Sequence, residues 1–286
     1  MLHSALERSD GRLVVHYLHG PDLPRRERTA LASMFIRSGS ELVLHEIAPE
    51  RVSGLPLQDR FGAAMWYRIL LPELLPDVDR VLYLDIDTIV VDALEPLFAI
   101  DLAGSLLGAV TNVFMEFHRE RPDELGIAAS EYFNSGVVLF NLNAARAGGF
   151  TDGLRELVRA RGHELMWPDQ DALNLAARGR WLNLHPRWNC MNSFFSRPRL
   201  AATAFGAKPL AEATARPAIR HFEGPGFNKP WHILHDRTGQ RLYRDHRTRT
   251  PWPAYSLEGG TPANRVRRVV ADLRARAPAG RALRRA

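Results

Sequence analysis

The stretch "RVLYLDIDTIV", residues 80–90, decides how this chain is read. Val81 to Leu84 form an apolar run suited to a β-strand, and the next three residues set two carboxylates, Asp85 and Asp87, one residue apart. Residues i and i+2 of an extended segment face the same side, so both acids can be sent toward one point. Two carboxylates at the edge of a core repel each other and lose hydration unless a cation or strong donors compensate them. A hard divalent cation with oxygen ligands, Mn²⁺ or Mg²⁺, meets that need and commonly carries substrate phosphates as well. Taken alone, an Asp-x-Asp pair is equally a solvated loop or a helix cap.

Around this strand, apolar runs alternate with helical periodicity. Strands are expected at about 12–18, 41–47, 80–84, 106–111, 135–142, 181–184 and 217–222, and helices at 25–38, 60–74, 144–161 and 169–177. Such alternation predicts an α/β sheet covered on both faces. Ligands collect at the carboxyl ends of strands in this architecture, which is where Asp85 and Asp87 stand. Residues 186–260, rich in Pro, Arg and Trp, are expected to wrap the core in loops.

The composition, 45% apolar and 24% charged over 286 residues, is that of a globular chain able to bury a sizeable core. A single cysteine, Cys190, excludes an intrachain disulfide and a cysteine zinc cluster, and fits a reducing cytoplasm. No apolar run approaches the ~18 to 20 residues that cross a bilayer. The net charge of +6 is concentrated at one end, because residues 265–286 hold eight Arg against one Asp and leave the remainder at −1. A neutral body argues against nucleic acid as partner. The division expected is a catalytic domain over 1–258 and a basic tail over 259–286. Val266, Val269, Val270 and Leu273 recur at helical spacing among the arginines of that tail, a pattern for lying on an anionic membrane surface and also for a solvated terminal helix.

Four further stretches carry chemistry. "RHFEGPGFNKPWH", residues 220–232, joins His221 to a Gly-Pro-Gly turn and Lys229; imidazole is a good metal ligand, and glycine amides with a lysine suit a phosphate. "WPDQDALN", 167–174, opens a helix with Asp169, Gln170 and Asp171, which are either plain caps or, for Asp169 and Gln170, readers of sugar hydroxyls. "EYFNSGVVLFNL", 131–142, sets Asn134-Ser135-Gly136 at the mouth of a strand. "AMWYRILLPELL", 64–75, holds Arg68 in an apolar helix, where it either snorkels outward or reaches inward to a phosphate or carboxylate. The strand followed by Asp-x-Asp-x-Thr also fits the nucleophile motif of haloacid-dehalogenase-like phosphatases. That chemistry needs a downstream lysine and a further acidic pair, and the only lysines, Lys208 and Lys229, are followed by none. A glycosidase with two flanking carboxylates leaves the phosphate-friendly groups unexplained.

Together, "WYRILLPELLPDVDRVLYLDIDTIV", "YFNSGVVLFNLNAAR", "DQDALN" and "HFEGPGFNKPW" resemble glycosyltransferase family 8, the nucleotide-sugar-dependent retaining transferases, in the family's order and roughly its spacing. The resemblance covers about residues 1 to 232. It implies a Rossmann-like GT-A fold with a mixed central sheet and transfer of glucose or galactose from a UDP-sugar to a glycan or glycolipid acceptor. By resemblance, Asp85, Asp87 and His221 hold Mn²⁺, with Mg²⁺ as the alternative, and Gly224 and Lys229 meet the diphosphate. Arg68, Asn134, Asp169 and Gln170 line the donor sugar, with Gln170 the candidate for facing the anomeric carbon. Two features depart from the family pattern. Four residues separate Gly224 from Lys229, more than in the family's shortest turn, and the chain begins on the order of 20 residues later than family members do. The second departure predicts that a first strand and part of the nucleoside pocket are missing and that donor binding is weak. It keeps a non-catalytic sugar-nucleotide-binding remnant as the competing reading.

Overall fold

A computed structural model describes residues 1–57 and 62–276. The first two positions of the helix expected at 60–74, and residues 277–286 of the expected basic tail, lie outside the described residues. The chain divides into two units, Met1–His221 and Phe222–Ala286, each described by itself.

In the first unit, β1 (Val14–His19) and β2 (Glu41–Glu46) form a parallel pair joined by a helix, Arg25–Ser38, that ends at Gly39 in the left-handed region, φ 69°. Glycine closes that helix because a side chain there would be strained. Strand β3 (Arg80–Leu84) lies in a mixed four-stranded sheet with β5 (Leu107–Thr111), β6 (Phe133–Asn141) and β7 (Trp181–Asn183), in the order β3-β6-β5-β7. A third sheet, β4-β9-β8, is built from Thr88–Val90, Ile219–His221 and Cys190–Met191. Strands β4 and β8 were not expected; with three and two residues they carry no alternation to detect.

Strand β6 is the spine of the unit. Val138 and Phe140 pack into one apolar cluster with Trp66, Ile69, Leu142 and Leu173, while Val137 and Leu139 pack into another with Val110, Leu184, Trp188 and Ile219. Both faces are therefore covered, as the near-continuous apolar run of β6 requires. The helix expected over 144–161 is broken at Gly148 and Gly149 into Leu142–Ala147 and Phe150–Arg161, since two glycines in succession weaken the helix and the second takes φ 58°. The 60–74 segment is 3₁₀ over Ala63–Leu70 and α-helical only over Leu71–Leu74.

The expectation of loops through 186–260 is corrected. Short helices occupy Asn192–Ser196, Pro198–Phe205 and Ala207–Ala215, and Arg237–Arg247 follows in the second unit. The alanines of "AATAFGAKPLAEATA", residues 201–215, favour helix, and Gly206 at φ 80° separates two turns too brief to show a period. In the second unit, the helix Pro262–Arg276 is anchored by Arg268, whose guanidinium is buried and donates to the carbonyls of Ile233 and His235 and to Gln240. Val266, Val269, Val270 and Leu273 are all exposed, between 40 and 65%. No described helix is long and apolar enough to cross a membrane.

Candidate active site

Strand β3 ends at Leu84, and its next backbone amide, from Asp85, donates to the Gly136 carbonyl at 2.8 Å, extending the ladder by one bond. Thr88 then turns the chain tightly, donating both its amide (3.2 Å) and its hydroxyl (2.7 Å) to the Asp85 carbonyl. Within this turn Ile86 points to solvent, 80% exposed, so the acids on either side of it point inward. Thr88 is also the residue that pairs with His221 across β4 and β9. That register carries the imidazole to the acids.

The three side chains converge. His221 Nε2 lies 3.3 Å from an Asp87 oxygen and 3.9 Å from Asp85 Oδ2, and one donor atom from each residue falls within 4.8 Å of the others. The orientation of the imidazole follows from its neighbours. Asn189 Nδ2 donates to Asn134 at 2.8 Å, which turns Asn189 Oδ1 toward His221 Nδ1 at 2.9 Å. Nδ1 therefore carries the proton, and the lone pair of Nε2 faces the two carboxylates. The space between them exists because residue 136 is glycine: a Cβ there would stand 2.2 Å from His221 Cε1 and 2.9 Å from Asp85 Oδ2. Two carboxylates and an imidazole lone pair around a cleared volume fit a Mn²⁺ or Mg²⁺ ion.

Asp85 divides its two oxygens. Oδ2 faces His221, while Oδ1 accepts from Arg68 at 2.9 Å and from the Tyr83 hydroxyl at 2.8 Å. Arg68 is buried and reaches inward; besides Asp85 it meets Asp169 at 3.1 Å and donates to the Ser135 carbonyl at 2.7 Å. Burial works against the Arg68 charge, but Tyr83, Asp85 and Asp169 around it outweigh that effect and push its pKa up. Burial pushes the Asp169 carboxyl up, and Arg68 opposes it.

A second network supports the first. Strand β6 slips register against β5 between Ala109 and Val110, and the slip falls at Ser135–Val137, directly after Asn134. Bulges of this kind re-aim side chains. Here Asn134 Nδ2 donates to Gln170 Oε1 at 3.2 Å and to Asn112 at 3.3 Å, and the Ser135 amide donates to the same Gln170 oxygen at 3.0 Å. Gln170 Nε2 donates to the Tyr132 hydroxyl at 3.3 Å. Asp171, fully buried, accepts from that hydroxyl, from Arg121 at 2.6 Å and from the amides of Met166 and Trp167. The helix Pro168–Ala176 is thereby fixed against β6, and Asn174 strengthens the join by exchanging 2.7 and 2.9 Å hydrogen bonds with the Phe133 backbone.

Asp85, Asp87, His221, Arg68, Asn134, Asp169 and Gln170 thus share one connected site in the first unit. Gly224 and Lys229 lie in the second unit. Gly224 takes φ 95°, and the Lys229 ammonium donates back to the Phe222 carbonyl at 2.9 Å, within its own turn. Sequence reasoning did not find Asn189 or Tyr83 as parts of the site, and it singled out Gly136 and Asp171 without the roles they take, clearing space beside His221 and fastening the helix Pro168–Ala176. Nothing local in the sequence says what they touch, and only the fold reveals it.

Comparisons with known proteins bear on the family and the fold of the chain. The family model described as glycosyl transferase family 8 matches residues 1–234. General stress protein A of Bacillus subtilis is 30% identical over 194 residues, covering 66% of this chain and 66% of that protein. The lipopolysaccharide 1,2-glucosyltransferase of Escherichia coli is 25% identical over 230 residues, covering 78% of this chain and 65% of that protein. The chain therefore spans just under two thirds of the length of these two relatives. Among solved structures, the galactosyltransferase LgtC in complex with donor and acceptor sugar analogs superposes with a TM-score of 0.71 at 28% identity, covering 90% of each chain. The likeness extends to the mixed α/β architecture, that of a GT-A fold. With its four motifs in order, and a family match running through both the acidic turn and His221, this chain belongs to glycosyltransferase family 8.

Proposed function

We propose that this protein transfers a hexose, glucose or galactose, from a UDP-sugar to a glycan or glycolipid acceptor with retention at the anomeric carbon. The observation that carries the reading is the convergence of Asp85, Asp87 and His221 on the volume that Gly136 leaves open. Those three side chains would hold Mn²⁺, or Mg²⁺, and the ion when bound supplies positive charge against a departing diphosphate. Arg68 and Tyr83 hold one oxygen of Asp85, leaving the other to ligate. Asn189 keeps the His221 proton on Nδ1, which leaves Nε2 able to ligate. Asp169 and Gln170 face the donor sugar; the Gln170 amide, pinned by Asn134, Ser135 and Tyr132, is a dipole whose direction is set before the sugar arrives, so little reorganisation is needed as positive charge develops at C1. Gly224 and Lys229 belong to the diphosphate in this reading; the bond to the Phe222 carbonyl uses one of the three N–H donors of the Lys229 ammonium. The same reading sets the protein to work in the cytoplasm, its basic helix Pro262–Arg276 lying on anionic lipid.

The test is UDP release from UDP-glucose and UDP-galactose with Mn²⁺, for which slow transfer to water suffices. Release is expected from one donor, and Asp87→Ala is expected to lower it by at least ~100-fold. Release that Asp87→Ala leaves near normal removes Asp87 from the mechanism. Donor binding with no release favours a sugar-nucleotide-binding remnant.

A further inference from the structure

The hydrogen bonds that cross the site run head to tail in one direction. His221 Nδ1 donates to Asn189 Oδ1 at 2.9 Å, and Asn189 Nδ2 donates to Asn134 Oδ1 at 2.8 Å. Asn134 Nδ2 then donates to Gln170 Oε1 at 3.2 Å, and Gln170 Nε2 to the Tyr132 hydroxyl at 3.3 Å, which donates in turn to Asp171. His221, Asn189, Asn134, Tyr132 and Asp171 are all buried, so bulk water does not compete for these groups.

The direction has fixed anchors, because a carboxylate only accepts and a backbone N–H only donates. Asp171, held by Arg121 at 2.6 Å, makes the Tyr132 hydroxyl a donor; burial, then the Asp171 charge, pushes the Tyr132 pKa up and keeps that proton in place. The Ser135 amide donates to Gln170 Oε1 at 3.0 Å, and the Gly136 amide to Asn134 Oδ1 at 3.1 Å. Turning any one side-chain amide over would set donor against donor or acceptor against acceptor. The polarity fixed at Asp171 and at the register slip of β6 is therefore delivered to His221 Nδ1. An ion on Nε2 would draw electrons from the ring and make Nδ1–H a stronger donor. Hydrogen bonds in series polarise one another by about 10–30% per bond, which carries that change on to Gln170. Linkage makes the effect mutual: whatever loosens the far end of the series loosens the ion.

We propose that this relay couples the metal centre to Gln170, with Asn189 and Asn134 as positioning residues: an ion on His221 Nε2 tightens the hold on the Gln170 amide, and that hold strengthens ion binding in return. The proposal rests on the transferase reading for its catalytic sense, but it is measured without turnover. In the metal-free full chain at about pH 8, ¹⁵N NMR should show His221 as the Nδ1–H tautomer, its signal assigned by its loss in His221→Gln. Asn134→Leu should shift that signal toward the Nε2–H form. Tyr132→Phe, which leaves Asp85, Asp87 and His221 unchanged, should weaken Mn²⁺ binding about three- to fivefold in calorimetric titration. In the Asn134→Leu background the same change should have no further effect, because the relay is already cut. Should Asn134→Leu fail to fold, Tyr132→Phe and the wild-type tautomer decide between them. Unaltered Mn²⁺ affinity in Tyr132→Phe, losses that simply multiply in the double variant, or an Nε2–H tautomer in the wild type overturns the proposal. Coupling that holds in a protein without UDP-sugar turnover upholds the relay while the transferase reading falls.

Discussion

At the residue scale, the metal centre depends on a neighbour that contributes no ligand. Asn189 touches neither acid, yet its amide decides which nitrogen of His221 is protonated. Replacing it with alanine frees the imidazole to rotate or change tautomer. Partners of this kind are typically worth 10–100-fold in metal affinity, so Asn189→Ala should weaken Mn²⁺ binding by about that factor. Calorimetric titration of Mn²⁺ measures it, with circular dichroism to verify the fold; unchanged affinity would show that the imidazole is held by packing alone. Arg68 teaches the complementary lesson. Its position in an apolar helix favoured snorkelling over inward reach, and the two carboxylates it meets inside decided the matter the other way.

At the element scale, two joins are exposed to test. The helix Pro168–Ala176 is fastened by Asp171, whose carboxylate is fully buried and paired with Arg121. Removing one partner of a buried pair strands the other charge, so Asp171→Ala should cost about 3–5 kcal/mol of unfolding free energy. Urea denaturation reads this, and a double change, Asp171→Leu with Arg121→Met, should recover part of the loss, because no stranded charge remains although the Tyr132 hydroxyl and the Met166 and Trp167 amides lose their acceptor. The parallel pair β1–β2 carries a different sensitivity. His16 Nδ1 and His45 Nε2 lie 2.9 Å apart, a bond that needs at least one of the rings to supply a lone pair. Burial first, and then its neighbour His45, lowers the His16 pKa from 6.5 against an opposing pull from Glu41; burial, then His19, lowers that of His45. With folded-state values below the ordinary one, the unfolded chain binds protons more readily, so the contribution of this pair is whole above pH 6.5 and is lost as pH falls through the lowered values. The urea midpoint should drop between pH 7.5 and pH 5.5, and less so in a variant carrying both His16→Gln and His45→Gln. An equal drop in the two proteins would assign the acid sensitivity elsewhere.

At the scale of the whole molecule, the basic end is more than a frayed terminus. Arg268 and the Arg237–Asp272 pair hold the helix Pro262–Arg276 in its unit, while Val266, Val269, Val270 and Leu273 stay exposed. Truncation at Arg265 would also remove the buried Arg268, so substitution is the better probe. Wild type should sediment with phosphatidylserine-containing vesicles, and a variant with serine at 266, 269 and 273 should do so at least about tenfold less. Equal sedimentation of the two would end the membrane reading.

Most of the sheet was legible before any coordinates. Arg80–Leu84 and Arg25–Ser38 coincide with the expected limits, and β2, β5, β6 and β7 fall within two residues of theirs. In each, the apolar run or helical period is a property of neighbours in the chain, and it survives folding because each buried face needs a partner surface. The 3₁₀ turn at Ala63–Leu70 and the short helices between 192 and 215 escaped, since segments of one or two turns hold too few residues for a period. The acidic turn at Asp85–Asp87, and the need for a cation to offset it, likewise follow from local chemistry. What only tertiary structure decided is which distant groups answer that need: that Thr88 pairs with His221, that Gly136 leaves the room between them, and that Asn189 sets the proton. Those are contacts between residues far apart in the chain, and no pattern of neighbours encodes a distance across a sheet.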